Sequence, residues 1–261
     1  MNFTIEDIPK AETFTLLFKD IKNITNDINL MFEKERLYVQ SMDSSHVMLF
    51  EIVLPCMWFS TYSIETALTI GIDTNVLSKI LSTREKGQII RVSYNTETSD
   101  QLSIEFNSNV KGESHKYFDA PLVDINSDLL SIPETNYNIE LVMESNKFAK
   151  LIGELSSFGD SVEIECNEDA LEFISKNESI NMKATVPTND LESISMDEGT
   201  VVKLGFSTKY LQIICKYNKL SKCIGLNINE NLPMKIIYYL TDEEHDESMV
   251  FYLAPKMMED E

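Results

Sequence analysis

The strongest constraint on the fold of this chain is an internal duplication. The segments LLFKDIKNITNDINLMFEKERLYVQ (16–40) and KLIGELSSFGDSVEIECNEDALEFI (150–174) carry apolar residues at matching places, 134 positions apart. Such pairs include Leu17 and Leu151, Ile28 and Val162, and Leu37 and Leu171. The same offset relates SHKYFDAP (114–121) to SMVFYLAP (248–255). Since one offset holds across most of two half-chains, the sequence predicts two copies of one domain.

Each copy combines helical and strand patterns. Apolar residues recur with helical spacing in four windows, 13–26, 74–84, 145–157 and 207–219. Asp73 or Thr74 is suited to cap the second helix, and Ser207 the fourth. Period-two alternation marks strands in DINLMF, RLYVQ, IIRVSY and QLSIEF, and in VEIEC, LEFIS, IGLNI and MKIIYY of the second copy. The predicted fold class is therefore α+β, with antiparallel sheets.

Turn-forming residues separate the two copies. The stretch APLVDINSDLLSIPETNY (120–137) contains two prolines and reads as an extended connector. The predicted domains are 1–119 and 138–261, joined by 120–137. The start of the chain has no basic segment followed by an apolar one, and no apolar run reaches the roughly 18 residues of a membrane span, so we expect an intracellular, soluble protein without a membrane partner.

Charge is distributed unevenly along the chain. The formal net charge of −21 argues against a nucleic-acid partner, because a duplex repels an acidic surface. The four helical windows nevertheless hold nine cations and two anions, whereas the rest of the chain holds 13 cations and 41 anions. The nine cations are Lys19, Lys22, Lys79, Arg84, Lys147, Lys150, Lys209, Lys216 and Lys219. A basic surface on equivalent helices can contact the phosphates of a polyanion without reading bases, so the pattern favours sequence-independent binding.

The block QSMDSSHV (40–47) has two interpretations. Asp43, His46 and a serine could act as a hydrolytic triad, or the block could be a recognition surface. Local clustering supports the triad poorly, because catalytic triads are assembled from distant segments. The sequence also has no G-x-S-x-G elbow, no P-loop and no metal-ligand spacing, so we expect no catalytic residues, no metal and no cofactor. The four cysteines lack paired spacing and are interpreted as buried thiols.

Three segments together point to a known family. They are QSMDSSHV (40–47), SKIL (78–81) and YLAPK (252–256), in that order. Over nearly its whole length the chain resembles the eukaryotic-type DNA sliding clamps, the proliferating cell nuclear antigen family. The resemblance implies a homotrimeric ring, with helices lining a central pore and sheets outside. It also implies that the basic helices face double-stranded DNA, bound without regard to sequence. Further implied partners are DNA polymerase, repair proteins and an ATP-dependent clamp loader, and the implied location is the nucleus, or a cytoplasmic replication site if the protein is viral.

The resemblance also assigns surfaces to particular residues. A hydrophobic pocket for short partner peptides is assigned to Met42, His46, Val47, Leu130, Ile132, Pro233, Tyr252, Leu253, Ala254, Pro255 and Lys256. Subunit contacts between edge strands are assigned to Tyr117, Phe118, Ile180, Met182 and Lys183. Two alternative assemblies keep the fold: one subunit of a heterotrimeric clamp, or a monomeric processivity factor held on DNA by charge. Salt dependence separates charge-held binding from a closed ring.

The chain departs from the family pattern at three places. Glu168 stands where many members have a modified lysine, which puts regulation at that site in doubt. Thr15 and Leu16 replace two lysines of the first helix and thin its basic surface. Trp58 is an additional aromatic residue, and we interpret it as a packing residue.

Overall fold

The computed structural model describes residues 1–95, 100–108, 112, 114–126, 128–133, 135–241 and 247–256. These residues divide into two compact units. One unit comprises Met1–Ser44, Glu51–Leu130 and Leu240–Met249, and the other comprises Ser45–Phe50, Ser131–Tyr239 and Val250–Glu261.

The two halves of the described chain repeat one order of elements. The first half contains β1 (Asn2–Ile5), α1 (Ile8–Lys19), β2 (Asp27–Phe32), β3 (Arg36–Met42), β4 (Met48–Pro55), β5 (Thr61–Ser63), β6 (Leu68–Asp73), α2 (Thr74–Ser82), β7 (Ile89–Ser93), β8 (Gln101–Asn107) and β9 (Lys116–Pro121). The second half contains β10 (Ile139–Glu144), α3 (Ser145–Leu155), β11 (Ser161–Cys166), β12 (Ala170–Lys176), β13 (Asn181–Pro187), β14 (Ser193–Met196), β15 (Val202–Ser207), α4 (Thr208–Cys215), β16 (Cys223–Ile228), β17 (Met234–Tyr239) and β18 (Ser248–Leu253). The predicted duplication and the α+β class are therefore confirmed.

Antiparallel sheets dominate both units. In the first unit β5-β1-β7-β8-β9 form one sheet, and β4-β3-β2-β6 are neighbours in another. In the second unit the corresponding orders are β14-β10-β16-β17-β18 and β13-β12-β11-β15. Strands β9 and β13 each stand at the edge of a sheet. Strand β2 shows the expected alternation, because every second side chain is buried.

The helix ends follow from local capping. Asp7 caps α1 by accepting a hydrogen bond from the Lys10 amide at 2.8 Å. The first helix therefore begins at Ile8, five residues before the predicted window, and ends at Lys19; a 3-10 turn at Ile21–Asn23 follows. Asp73 caps α2 through the amides of Asn75 and Val76. Ser207 is the N-cap residue of α4, but its side chain makes no capping hydrogen bond.

Aromatic side chains fill the core of each unit. In the first unit the ring of Phe3 lies 5.9 Å from that of Phe14 and 4.9 Å from that of Phe59. Trp58 is 3% exposed and packs against Phe59, so its interpretation as a packing residue is correct. In the second unit the hydroxyl of Tyr238 donates to the Ile214 carbonyl at 3.0 Å and joins the core to α4.

The segment that follows β9 lies against the edge strand β6. The Val123 amide donates to the Gly71 carbonyl at 2.9 Å, and Ile72 and Leu122 form a β-bridge. A Cβ atom on Gly71 would lie 2.0 Å from the Val123 carbonyl oxygen. Only glycine therefore permits this close approach of two backbones.

Substituting Gly71 tests this contact. We expect Gly71→Ala to lower the free energy of unfolding by about 1–3 kcal/mol, the usual cost of overpacking, since a backbone carbonyl must move. The matched control is Gly153→Ala in α3, where an added Cβ meets no atom within 4 Å. That substitution should raise the free energy of unfolding by about 0.5–1 kcal/mol. Urea unfolding of both variants measures the difference, and equal effects would contradict the proposed clash.

Candidate nucleic-acid interface and partner-binding residues

The helices display lysines opposite their buried apolar stripes. In α4, Leu211 and Ile214 are buried while Lys209 is exposed, because the two sets fall on opposite sides of the helix. Lys216, the C-cap residue of α4, is also exposed. The same division holds in α3, where Phe148 is buried. Eight of the nine predicted cations have exposed side chains: Lys19, Lys22, Lys79, Lys147, Lys150, Lys209, Lys216 and Lys219. These eight residues are called the helix lysines below.

Arg84 does not belong with the helix lysines, which corrects its predicted role in DNA contact. Its side chain is 2% exposed, its Nε donates to the Gln88 carbonyl at 2.9 Å, and its Nη1 lies 3.8 Å from Glu12 Oε2. Burial lowers the pKa of the guanidinium, and Glu12 partly opposes that shift. The helical window extended past the true end of α2 at Ser82, so Arg84 lies in the following turn and points into the protein.

A comparison of two cations near the end of α2 tests this correction. Lys79→Met should reduce the magnitude of the slope of log affinity for duplex DNA against log salt by roughly 0.9 for each phosphate that the side chain no longer neutralises. Arg84→Met should leave the slope unchanged, because its charge does not face solvent. Fluorescence anisotropy with a short duplex, repeated between low and moderate salt, gives both slopes. An equal change in the two variants would restore Arg84 to the DNA surface.

The helix lysines are unequally divided between the two units. The first unit contributes Lys19, Lys22 and Lys79, and the second contributes Lys147, Lys150, Lys209, Lys216 and Lys219. In α1, Thr15 and Leu16 have uncharged side chains and add no positive charge. The Thr15 hydroxyl donates to the Ala11 carbonyl at 2.8 Å, and Leu16 is half-buried. The second unit therefore holds five of the eight helix lysines.

The residues of the block at 40–47 differ in solvent exposure. Asp43 is buried, whereas Ser44, Ser45 and His46 are exposed. His46 has a φ of 58°, a left-handed conformation that is uncommon for a residue other than glycine. The Val47 carbonyl accepts a hydrogen bond from the Ala254 amide at 3.0 Å. This backbone contact joins two of the predicted partner-binding segments within the second unit.

The residues assigned to the partner-peptide pocket differ in accessibility. Met42 and Leu130 lie in the first unit, where Met42 is half-buried and Leu130 is 48% exposed. In the second unit His46, Pro233 and Lys256 are exposed, and Val47, Ile132, Tyr252, Ala254 and Pro255 are half-buried. Leu253 is fully buried at 0% exposure, which corrects its assignment. Its position in β18 turns the side chain into the core.

The end of the described chain is held in place within the second unit. The Lys256 amide donates to the Gly205 carbonyl at 2.7 Å, and its ammonium lies 3.4 Å from the Asp160 carboxylate. Gly205 belongs to β15, so the segment after β18 adds a bridge to that strand. Tyr252 and Pro255 are thereby placed beside a fixed backbone.

The residues assigned to subunit contacts lie on or beside the two edge strands. On β9, Tyr117 is 67% exposed and Phe118 is half-buried. Ile180, which directly precedes β13, is 52% exposed; Met182 and Lys183 belong to that strand. Lys183 forms an ion pair with Glu172 at 2.6 Å.

The hydrogen-bond pattern shows which backbone groups these edges present outward. Asn177 donates to the Ile180 carbonyl and Thr188 donates to the Asp169 carbonyl, so these residues mark hydrogen-bonded pairs of the β12–β13 ladder. Because such pairs alternate, the N–H groups of Lys183 and Thr185 point away from β12. Beyond the end of β9, the Leu122 amide donates to the Asp100 carbonyl and marks a hydrogen-bonded pair of the β8–β9 ladder. By the same alternation, the N–H groups of Tyr117 and Asp119 point away from β8. Pro121 and Pro187, which lack an N–H, occupy outward positions at the ends of the two strands.

Glu168 has a structural role in this chain. Its carboxylate accepts a hydrogen bond from the Gly199 amide at 3.1 Å, and its carbonyl accepts one from the Thr188 hydroxyl. Gly199 has a φ of 74°, which suits glycine. Glu168 therefore joins two loops of the second unit at the position where the family pattern has a lysine.

The cysteines are free thiols of unequal burial. Cys166 is buried, as interpreted, but Cys56, Cys215 and Cys223 are partly accessible, so that interpretation was wrong for three of the four. Burial raises the pKa of Cys166 to about 11 and that of Cys215 to about 12. Both are therefore protonated and poorly nucleophilic at neutral pH. Within the residues that the structure describes, no cluster of three or more histidine, cysteine or acidic side chains is suited to a metal ion.

Three polar residues of the first unit were not identified from the sequence. Tyr38, Gln40 and Glu51 form a hydrogen-bonded group on β3 and β4. Their alternation with apolar residues predicts a solvent-facing side of the strand, yet Tyr38 is 8% and Gln40 9% exposed. The partner that covers Gln40 is Leu130, ninety residues away, and no local pattern indicates that contact.

Comparison with known proteins identifies the family. The profile of the proliferating cell nuclear antigen N-terminal domain matches residues 7–130, and that of the C-terminal domain matches residues 131–256. The proliferating cell nuclear antigen of Chaetomium thermophilum is 30% identical over 246 residues, which span 92% of this chain and 93% of that protein. No helix in the described part of the chain has the length and apolar character needed to cross a membrane. The chain therefore belongs to the proliferating cell nuclear antigen family, the DNA sliding clamps that act as polymerase processivity factors in DNA replication and repair.

Proposed function

We propose that three copies of this chain close into a ring around duplex DNA, with 1–119 and 138–261 as the two clamp domains of each copy. The observation that carries this proposal is the set of eight exposed helix lysines in a chain of net charge −21. An excess of cations over anions in the helical windows favours one surface for a polyanion, while the strongly acidic remainder repels DNA elsewhere. Proteins of this family are non-catalytic clamps, and the proposed mechanism involves no chemical step.

Subunit closure is proposed to use the two edge strands. The outward N–H and C=O groups of β9 and β13 require partners, and an edge strand of a second copy supplies them in an antiparallel or parallel ladder. Tyr117 and Phe118 then add apolar contact on one side, and Ile180 and Met182 on the other. A contact between two different surfaces is heterologous, and it closes into a ring when the rotation between copies is suitable.

A ring holds DNA by topology, so its contacts with DNA can be weak. Lysine side chains reach phosphates with long flexible stems and carry no donor–acceptor code for bases. Contacts of this kind exchange rapidly between neighbouring phosphates and permit sliding. Moderate salt weakens these contacts without releasing DNA from a closed ring, whereas it would release DNA from a monomer held by charge.

Partner proteins are proposed to bind through short peptides. The exposed side chain of Leu130 in the first unit, and His46, Val47, Ile132, Pro233, Tyr252, Ala254 and Pro255 in the second, supply apolar contact area. Backbone carbonyl and amide groups of the connector and of the segment near the C-terminus supply hydrogen bonds. The partners are DNA polymerase and repair proteins, with an ATP-dependent loader that opens the ring, and the site of action is the nucleus.

Two measurements on the full chain test the assembly. Light scattering across dilutions should give about three times the 29.9 kDa mass of one chain. Protein loaded onto nicked circular DNA should be retained in moderate salt and released when the circle is linearised, because only a closed ring is held by topology. A persistent monomer, or release from circular and linear DNA at the same salt concentration, would overturn the ring.

A further inference from the structure

Within the first unit, the hydrogen-bonded side chains of Tyr38, Gln40 and Glu51 lie beneath Leu130 of the connector. Strand β3 is buried on both faces from Leu37 to Gln40, although only one face carries apolar side chains. Tyr38 and Gln40 occupy the other face, and the guanidinium of Arg36 lies 4.8 Å from the Tyr38 ring. Buried polar groups of this kind are costly unless every donor and acceptor is satisfied.

Both ends of the Gln40 side-chain amide have hydrogen-bond partners. Its nitrogen donates to the Leu130 carbonyl at 2.9 Å and to the Tyr38 hydroxyl at 3.0 Å, and its oxygen accepts from the Leu130 amide at 2.8 Å. Gln40 therefore bonds both backbone groups of one connector residue, as a neighbouring strand would do. The Leu130 backbone determines which end of the amide carries the nitrogen, because its C=O can only accept and its N–H can only donate.

Two further residues orient this amide. The Tyr38 hydroxyl donates to the Glu51 carboxylate, which leaves its oxygen to accept from Gln40. Burial, together with the Glu51 carboxylate, raises the pKa of Tyr38 well above its usual value, so the hydroxyl keeps its proton. The chain of bonds runs from Glu51 through Tyr38 and Gln40 to Leu130.

The consequence is a fixed backbone with an exposed side chain. The backbone of Leu130 is held at both its N–H and its C=O, while its side chain remains 48% exposed. We propose that Gln40 is a positioning residue for partner binding, which presents Leu130 to apolar partner peptides by holding its backbone. This inference rests on the proposed binding of partner peptides.

The experiment measures connector exchange and peptide affinity on the full chain. In Gln40→Ala, hydrogen–deuterium exchange at the Leu130 amide should become at least about tenfold faster, because its acceptor is gone. The Val123 amide, which donates to Gly71 in the same segment, should keep its protection. A fluorescein-labelled synthetic peptide carrying a clamp-binding motif of a DNA polymerase subunit should bind roughly tenfold more weakly, mainly through faster dissociation.

Two variants serve as comparisons. Tyr38→Phe removes the hydroxyl that orients the amide but keeps both bonds to Leu130, so its effects on exchange and affinity should be smaller than those of Gln40→Ala. Gln212→Ala removes an exposed glutamine that donates to Ser156 at 2.7 Å in the second unit, and it should change neither quantity. The mass in solution and the midpoint of thermal unfolding should be preserved in Gln212→Ala.

The outcomes separate this inference from the proposed function. If the unsubstituted protein fails to bind the peptide, peptide recognition itself is wrong, and the positioning role fails with it even where exchange changes. If the unsubstituted protein binds and Gln40→Ala binds equally well, the positioning role is wrong whatever the exchange data show. Unchanged exchange at Leu130 in Gln40→Ala also overturns it.

Discussion

Replacing Lys183 by proline is expected to convert the proposed ring into monomers of 29.9 kDa. The N–H of Lys183 points away from β12, so proline removes a donor from the outer edge while the ladder to β12 keeps its hydrogen bonds. Proline also places its ring where a neighbouring strand would approach. Because the same substitution is present in every subunit, all contacts of a cyclic assembly are weakened together.

The matched control for this variant is Lys183→Ala. Both substitutions remove the ion pair with Glu172, but alanine keeps the N–H. An exposed ion pair contributes about 0–1 kcal/mol, so Lys183→Ala should remain trimeric. Light scattering across dilutions gives the masses, and circular dichroism checks that the sheet is intact. A trimeric Lys183→Pro variant with native circular dichroism would show that β13 does not form the subunit contact.

Neutralising the helix lysines of the second unit is expected to weaken DNA binding more than neutralising those of the first. The second unit presents five such lysines and the first presents three. Each phosphate contact contributes about 0.9 to the slope of log affinity against log salt. Glutamine at Lys147, Lys150, Lys209, Lys216 and Lys219 should therefore lower the magnitude of the slope further than glutamine at Lys19, Lys22 and Lys79.

The measurement is the affinity for a short linear duplex over a series of salt concentrations, using ring-forming protein. Lys203→Gln with Lys235→Gln serves as the control, because these lysines lie on strands β15 and β17 and Lys203 pairs with Glu163 at 2.9 Å. The control should keep the slope of the unsubstituted protein. Equal slopes for the two helix variants would show that the units share the contacts evenly despite their unequal charge.

Local pattern predicted much of the architecture. Strand β2 occupies the predicted DINLMF, and β2 and β3 recur 134 positions later as β11 and β12. Alternation of apolar residues succeeds here because a half-buried strand imposes its own period on the sequence. The start of α1 was missed by five residues, since the window followed apolar spacing and overlooked the cap at Asp7.

The sequence predicted the exposure of some site residues correctly and that of others incorrectly. The eight helix lysines are exposed as expected, although Lys22 lies in the 3-10 turn after α1 and Lys219 lies past the end of α4. Arg84 and Leu253 were assigned to surfaces, yet the structure buries both side chains. Arg84 lies past the end of its helix, and Leu253 has a position in β18 whose burial depends on the neighbouring elements.

The sequence by itself determined the duplication, the fold class and the basic helices, because each depends on residue types at regular spacing. It also carried the three segments by which the chain resembles its family. Only the tertiary structure decided that β9 and β13 are edge strands and that Gln40 lies beneath Leu130. These features depend on contacts between residues far apart in the chain. A hydrogen bond across ninety residues imposes no period on the sequence, so only the packing of the folded chain shows which polar side chain lies beneath the connector.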